Sequence, residues 1–428
     1  MSDTAGASPG QPEGRRVLGP GAGASASGRG RARRRRRRWA CGTGLVVAAV
    51  LVVAAGAGWA VYMKLSGNIT PDEAAAAELA RFERERPTAL VKDARNILLI
   101  GSDSRSGEEN RRYGRDVGTE RSDTAILLHL SAGRRSATAV SLPRDLMVDV
   151  PGCLHRDGTR TEPAFAAFNT AFERGGSACA VRTVEKLTDI RVDHHVVVDF
   201  HGFKEMVDAV DGVEVCLREP IDDEEADVRL PAGRVTLNGE QALGYVRVRK
   251  SLGDGSDTDR MERQQRFLGA LVGKVRGNGV LLNPVKLYPL LDAATSSLTT
   301  DPGLASLRGL YELVRGLRDI PTGRVQFLTV PREPYARDAN RDQLAQPAAG
   351  ELFDRLRRDA PIAVAGGGER GPAAEDGGGT PRAEVTAGGT NGDGGAAEGK
   401  TAEPSGTPSP ASPAPTFSGS TAAEGACA

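Results

Sequence analysis

The chain has 428 residues, with 56 basic and 56 acidic side chains balancing to a formal charge of zero. That balance points neither to nucleic acid nor to a generally acidic partner. Both ends are too poor in large apolar residues to bury a core, so length leaves one folded unit, over about residues 93–361, rather than two or three.

Residues 1–38 read as a disordered basic segment, closing in seven arginines between Arg31 and Arg38. The uncharged run 39–63 follows directly. It is long enough to cross a bilayer as a helix, longer than the apolar part of a cleaved signal peptide, and freer of charge than a core helix of that length. We read it as a transmembrane anchor. The arginine flank then keeps the N-terminus in the cytoplasm and puts everything after Lys64 outside, with added attraction to anionic membrane lipid. No aromatic residue interrupts the block and no helix-turn-helix pattern follows it, so nucleic acid is not an expected partner. Residues 64–92, Ala- and Glu-rich over 71–86, read as a helical juxtamembrane spacer.

Short apolar runs rich in Val, Ile and Leu at 96–100, 124–130, 137–142, 196–200 and 245–248 read as buried strands. Segments 178–188, 203–210 and 260–276 carry apolar residues at helical spacing. Their alternation predicts an α/β layered domain with a mixed central sheet flanked by helices, preceded by one transmembrane helix. Cys153 and Cys179 lie in loop-like surroundings and are expected to pair in an oxidising compartment, while Cys216, inside an apolar strand, is expected as a buried thiol. No Cys or His spacing suggests zinc. Residues 362–428 read as a disordered Gly/Ala/Pro/Ser/Thr-rich tail, in which Val364, Val385 and Phe417 are nearly the only large apolar side chains after Ile362.

Three charged clusters fall at ends of the first three strands: Asp103 and Arg105 after the first, Arg121 and Asp123 at the start of the second, Arg144 and Asp145 after the third. An antiparallel arrangement with a hairpin through Ala132-Gly133 brings them to one edge. A fourth cluster is Arg247 and Arg249, which in a strand share a face roughly 7 Å apart, suited to two neighbouring phosphates. The helix opening at Asp257 then presents Arg260, Arg263 and Gln264, expected on the face opposite Leu268 and Val272, near an N-terminus that favours anions. Asp257 or Asp259 serves equally well as a plain helix cap. Carboxylates for a hard cation beside several arginines fit a di- or polyphosphate. No phosphate-gripping glycine loop is present in the sequence.

The strings NILLIGSDSR, RSDTAILLHL, VSLPRDLMVDVPG, FNTAFERGG, LTDIRVDHHVVVDFHGF, DGVEVC, LNGEQALGYVRVRK and DTDRMERQQRFL run in the order of the LytR-CpsA-Psr catalytic domain, over roughly residues 94–271. The chain resembles that family. The resemblance implies transfer of a glycopolymer from a polyprenyl-pyrophosphate carrier to a cell-wall acceptor, peptidoglycan, with formation of a phosphodiester in cell-wall biogenesis. It implies Mg²⁺ (or Mn²⁺) on Asp103 and Asp123, and pyrophosphate ligands at Arg121, Arg144, Arg247, Arg249 and Gln264. Asp257 and Arg260 support them, Arg247, Arg249 and Asp257 carry catalysis, and Arg263 joins the anion-binding set. An apolar cavity for the prenyl chain is also implied, to which Phe267, Leu271, Leu281, Leu282 and Leu287 contribute unless they only pack the core. One departure is Ala167, near a position where many relatives carry Lys before the FNTAF asparagine. Two other readings compete: a membrane-bound transcriptional attenuator, for which only the arginine block would face DNA, and a pyrophosphatase of lipid carriers, since water enters the same site as a sugar hydroxyl.

Overall fold

The computed structural model describes residues 28–102, 122–155, 157–248, 257–277, 284–366 and 416–424. Helix α1 (Gly28–Asn68) is the first described element and takes in residues 28–38 of the segment expected to be disordered; its stretch Gly42–Asn68, 27 residues, is long and apolar enough to cross a membrane. Next come β1 (Thr70–Pro71), α2 (Glu73–Arg81), β2 (Arg95–Ser102), β3 (Ser122–Leu130), β4 (Ala137–Leu142), β5 (Met147–Val150), β6 (Ala164–Ala167) and α3 (Asn169–Thr188). The middle holds β7 (His194–Asp199), α4 (Phe200–Ala209), the short strands β8 (Val213–Leu217), β9 (Ile221–Asp223), β10 (Val228–Leu230) and β11 (Gly233–Leu237), then α5 (Gly239–Arg247) and α6 (Asp257–Gly277). The last part comprises α7 (Pro284–Ser297), β12 (Leu298–Thr300), α8 (Leu307–Arg318), β13 (Val325–Thr329), β14 (Arg332–Tyr335), β15 (Asp338–Leu344), α9 (Ala348–Arg357), β16 (Ala363–Gly366) and β17 (Thr416–Thr421).

Nine strands form one mixed sheet in the order β1-β12-β7-β2-β3-β4-β13-β17-β16. The β2/β3 and β3/β4 pairs are antiparallel, as the turn at Ala132-Gly133 implied, whereas β2/β7 and β4/β13 are parallel. Period-two alternation decides the faces. Leu98, Ile100, Leu127, Val140 and Leu142 join the core under α3 and α9, while Ile97, Ile126 and Ala139 join the core under α6 and α8. A third cluster, built from α4, α5, α6 and β8 to β11, covers part of that second face.

Residues 64–92 are not a spacer. Leu65 and Ile69 are buried, β1 pairs in parallel with β12, and Ala75 and Leu79 of α2 enter the core beneath α3. The Arg86 guanidinium then donates to Glu185 and to the Val192 carbonyl at 2.7–3.1 Å. The helix expected over 71–86 is present as α2, but its apolar positions at helical spacing pack into the core instead of standing clear of it.

A disulfide joins Cys153 and Cys179, whose Cα atoms are 5.6 Å apart. It sits against a kink in α3 at Gly175 and Gly176. A side chain on Gly175 would come within 2.7 Å of Cys153 Cβ and 2.9 Å of Cys179 Cβ, so the bond and the glycine require each other. Cys216 differs from expectation. On β8 the alternation buries Val213, Val215 and Leu217 and turns Cys216 outward, where it is exposed and disulfide-bonded.

The tail reading also needs correction in two places. β16 and β17 both lie within residues 362–428, and β17 pairs with β13 on one side and β16 on the other. Phe417 is only 6% exposed, packed in the core under α9.

Candidate functional site

The sheet edge at the ends of β2, β4 and β7 and the start of β3 carries two of the candidate residues, Asp123 in β3 and Arg144 after β4. Gly101 opposes Thr124 and Ser102 opposes Ser122, so the register skips Asp123, the extra residue of a bulge. Bulges re-aim side chains and concentrate near active sites. Asp103 follows Ser102 in the chain. Asp103, Arg121 and Arg249 lie outside the described residues, and Asp123 and Asp257 are placed by backbone only, second in β3 and first in α6. Arg144 follows β4 at the same edge. Its Nε donates to Asp145 at 3.2 Å, and its carbonyl accepts from Asn169 N at 3.0 Å.

Beneath this edge, between the sheet and helices α4, α5 and α6, lies a cavity of about 420 Å³. Its body is apolar, walled by Ile126, Val198, Phe203, Phe267, Leu268 and Leu271. Its polar end carries Asp199, Asp223, Glu225, Arg247, Arg260 and Gln264. A volume in the small-ligand range and a carbon-rich body suit an amphiphile, and beside three carboxylates the guanidinium groups of Arg247 and Arg260 and the Gln264 amide are donors for an anionic head.

Each element holds its residue for a local reason. Helix α5 starts with a capping box, Asn238 and Gln241 each hydrogen-bonded to the other's backbone N–H, and Arg247 is its last residue, with its guanidinium over the Phe200 ring at 4.9 Å. Gln264 donates from α6 to the Val246 carbonyl at 3.3 Å, tying the end of α5 to α6. Asp199 ends β7 and caps α4, accepting from Gly202 N at 2.8 Å. A side chain on Gly202 would overlap Ser297, so α4 and α7 meet there without room for one.

Three expectations change. Residues 245–248 are the last turn of α5 and the residue after it, not a strand, so Arg247 lies on a helix and not on a strand face. Tyr and Val favour strands locally, but the capping box upstream nucleates a helix and Tyr245 packs on Phe267 at 6.4 Å. Second, Arg260 and Gln264 are not opposite Leu268: spaced by four, all three line the same cavity. Third, Arg263 is not in that lining. It is 4% exposed and donates to the Val248 carbonyl, its Nε meets no acceptor among the described residues, and burial pushes its pKa down.

Of the expected apolar contributors, Phe267 and Leu271 line the cavity, and Leu281 and Leu282 lie outside the described residues. Asp199, Phe200 and Asp223 were missed. For Asp199 the signal was present: an apolar strand run, then Asp-Phe-His-Gly, is a strand end followed by an Asp N-cap.

The model of the LytR_cpsA_psr family matches residues 62–358, well over half of the chain. The chain belongs to the LytR_cpsA_psr family. The matched range starts before β1, in agreement with the burial of the segment once read as a spacer. Over 264 residues the chain is 36% identical to the cell wall biosynthesis protein LcpA of Corynebacterium glutamicum, covering 56% of this chain and 50% of that protein. Over 298 residues it is 30% identical to the polyisoprenyl-teichoic acid–peptidoglycan teichoic acid transferase TagT of Bacillus subtilis, covering 67% and 84%. The chain spans about half the length of the corynebacterial relatives it matches. A LytR-Csp2A-Psr enzyme from Actinomyces oris shares the fold, with a TM-score of 0.50 at 24% identity over 63% of this chain and 93% of that one.

Proposed function

We propose that this family member is a membrane-anchored transferase that moves a glycopolymer from a polyprenyl-pyrophosphate carrier to peptidoglycan, with the catalytic unit outside the cell. The observation that carries this reading is the cavity of about 420 Å³ with an apolar body and Arg247, Arg260 and Gln264 at its polar end. A polyprenyl chain matches the body and a pyrophosphate matches the end. The names of TagT and LcpA agree with it. The Cys153–Cys179 bond fits an oxidising compartment, and the arginine flank of the apolar helix fits a cytoplasmic N-terminus.

In this reading the acceptor hydroxyl oxygen attacks the phosphorus bearing the glycan. A new P–O bond forms, the bond to the bridging oxygen breaks, polyprenyl monophosphate leaves, and the hydroxyl proton passes to a base. Arg247, Arg260 and Gln264 hold the leaving phosphate, Arg144 the glycan-side phosphate, and their donors are in place before charge develops. Asp103 and Asp123 would hold Mg²⁺ or Mn²⁺: two carboxylates are the donors such a hard cation takes, and the bulge at Asp123 beside Ser102 is a fitting frame. When bound, that cation would neutralise charge on the diphosphate.

The test uses the full chain in detergent micelles, a polyprenyl-pyrophosphate-linked glycan as donor and uncrosslinked peptidoglycan fragments as acceptor. Mass spectrometry should find polyprenyl monophosphate together with glycan joined to the fragment through one phosphate. Release of free phospho-glycan at the same rate with and without acceptor would make the protein a hydrolase instead.

A further inference from the structure

We infer that a second cavity, on the sheet face opposite the apolar one, binds the acceptor, and that its occupant is a phosphate-free, hydroxyl-rich segment of wall glycan. This rests on the transferase function proposed above. The second cavity measures about 700 Å³ and lies among β1, α2, the α3 kink and the ends of β2 and β7.

Strand geometry makes the two cavities a pair. Gly101 and Val198 line the apolar one, while their chain neighbours Ser102 and Val197 line the other. Consecutive strand residues face opposite sides of a sheet, so the cavities lie on opposite faces. Asp199, at the very end of β7, lines both. They therefore meet at the edge where the phosphates are expected.

In-line phosphoryl transfer puts the attacking and leaving oxygens on opposite sides of phosphorus. With the prenyl phosphate leaving into the apolar cavity, the attacking hydroxyl arrives from the other face. The lining agrees with such a ligand. Thr70, Ser297 and Thr299 offer hydroxyls, and Glu73 and His155 add a carboxylate and an imidazole, groups that match sugar hydroxyls as donors and acceptors. Asp72, Glu73, Glu78 and Asp199 bring four carboxylates to its lining, which disfavour a second phosphate there.

The wall is also held firmly. Asp72 accepts hydrogen bonds from Ala75 N, Ser177 Oγ and His195 Nε2, joining α2, α3 and β7 around the cavity. A rigid wall keeps a bound hydroxyl in position, which is where much of the rate of such transfers originates.

Ala74 is exposed on α2 and lines this cavity, so Ala74→Trp should fill it without disturbing the core. Glu73→Trp repeats the test from the neighbouring exposed position, and Ala74→Ser is the size control. The full chain in micelles is assayed for the KM of peptidoglycan fragments and, separately, for retention of the polyprenyl-pyrophosphate donor. Either Trp variant should raise the acceptor KM by about tenfold or more while donor retention and melting temperature stay at wild-type values, and Ala74→Ser should raise it far less than either. Wild-type acceptor KM in both folded Trp variants overturns the inference. If the wild type itself neither retains the donor nor releases polyprenyl phosphate, the transferase function fails, and the acceptor site with it.

Discussion

Arg247 and Arg263 sit sixteen residues apart, equally basic in sequence, yet their surroundings divide them. Arg247 is at the open end of a cavity with Phe200 under its guanidinium, whereas Arg263 is enclosed and aimed at a backbone carbonyl. Arg247→Ala should therefore lower transfer by about 10²- to 10³-fold, the usual effect of removing one preorganised donor, with little change in unfolding temperature. Arg263→Met should leave stability within about 1 kcal/mol, because a buried cation with an unmet donor gives little net support and Met fills similar space. Turnover and thermal unfolding measured side by side separate the two; equal loss of activity in both variants would return Arg263 to the phosphate site. At this scale the sequence shows which residue types gather but not which way they turn. Arg260 and Gln264 were singled out together but expected on the face opposite Leu268, and Arg263 was misplaced with them because one residue of helix rotates a side chain by roughly 100°.

Among the elements, β1 and α2 show how a segment of unremarkable composition becomes part of the site. Asp72 caps α2 and reaches across to α3 and β7. Burial alone would raise its carboxyl, but hydrogen bonds from His195, Ser177 and the Ala75 N–H outweigh it and hold the pKa at about 2. A carboxylate below its unfolded value of about 3.9 adds stability that is complete above that pH and is lost as pH falls toward 2. Asp72→Asn keeps the helix cap but removes the charge. The stability gap between wild type and this variant should be constant above about pH 4 and should narrow between pH 4 and pH 2, as read by denaturant unfolding at each pH. A gap independent of pH down to 2 would show that the charge contributes nothing. Strands β2, β3 and β4 were legible because their apolar runs are dense enough to decide their own state. β1 has two residues and no such pattern; only its pairing with β12, more than two hundred residues later, makes it a strand. The end of α5 went the other way, since local strand preference at Tyr245 and Val246 yielded to the cap at Asn238, upstream in the same helix.

For the folded unit as a whole, the strand order was beyond sequence reading, because each of its parallel pairs, β1/β12, β2/β7, β4/β13 and β16/β17, joins strands far apart in the chain. β17 is the clearest case. Its residues, Thr-Phe-Ser-Gly-Ser-Thr, follow a long Gly/Pro-rich stretch, and only Phe417 hints at a core. Phe417→Ala should cost about 3 kcal/mol, as for other buried aromatic truncations. A chain ending at Gly366 should lose more, since it gives up both the β13 and the β16 ladders. Guanidinium unfolding of the full chain in detergent provides the comparison, and an unchanged midpoint for the shortened chain would mean that β17 is dispensable.

The position of β17 also sets an order of events during synthesis. β13 has β4 beside it as soon as residue 329 has emerged, but its other edge waits for residues 419–421, and β16 has no neighbour among the described strands until residues 416–419 arrive. At a ribosomal pace of about 5–20 residues per second, that interval lasts several seconds. For that time the nascent sheet offers an open row of N–H and C=O groups to any other strand nearby. Slowing or stopping translation between residues 366 and 416 should therefore leave a species that associates through its β13 edge, even though every residue of the cavity between the sheet and α4 to α6 has already been made.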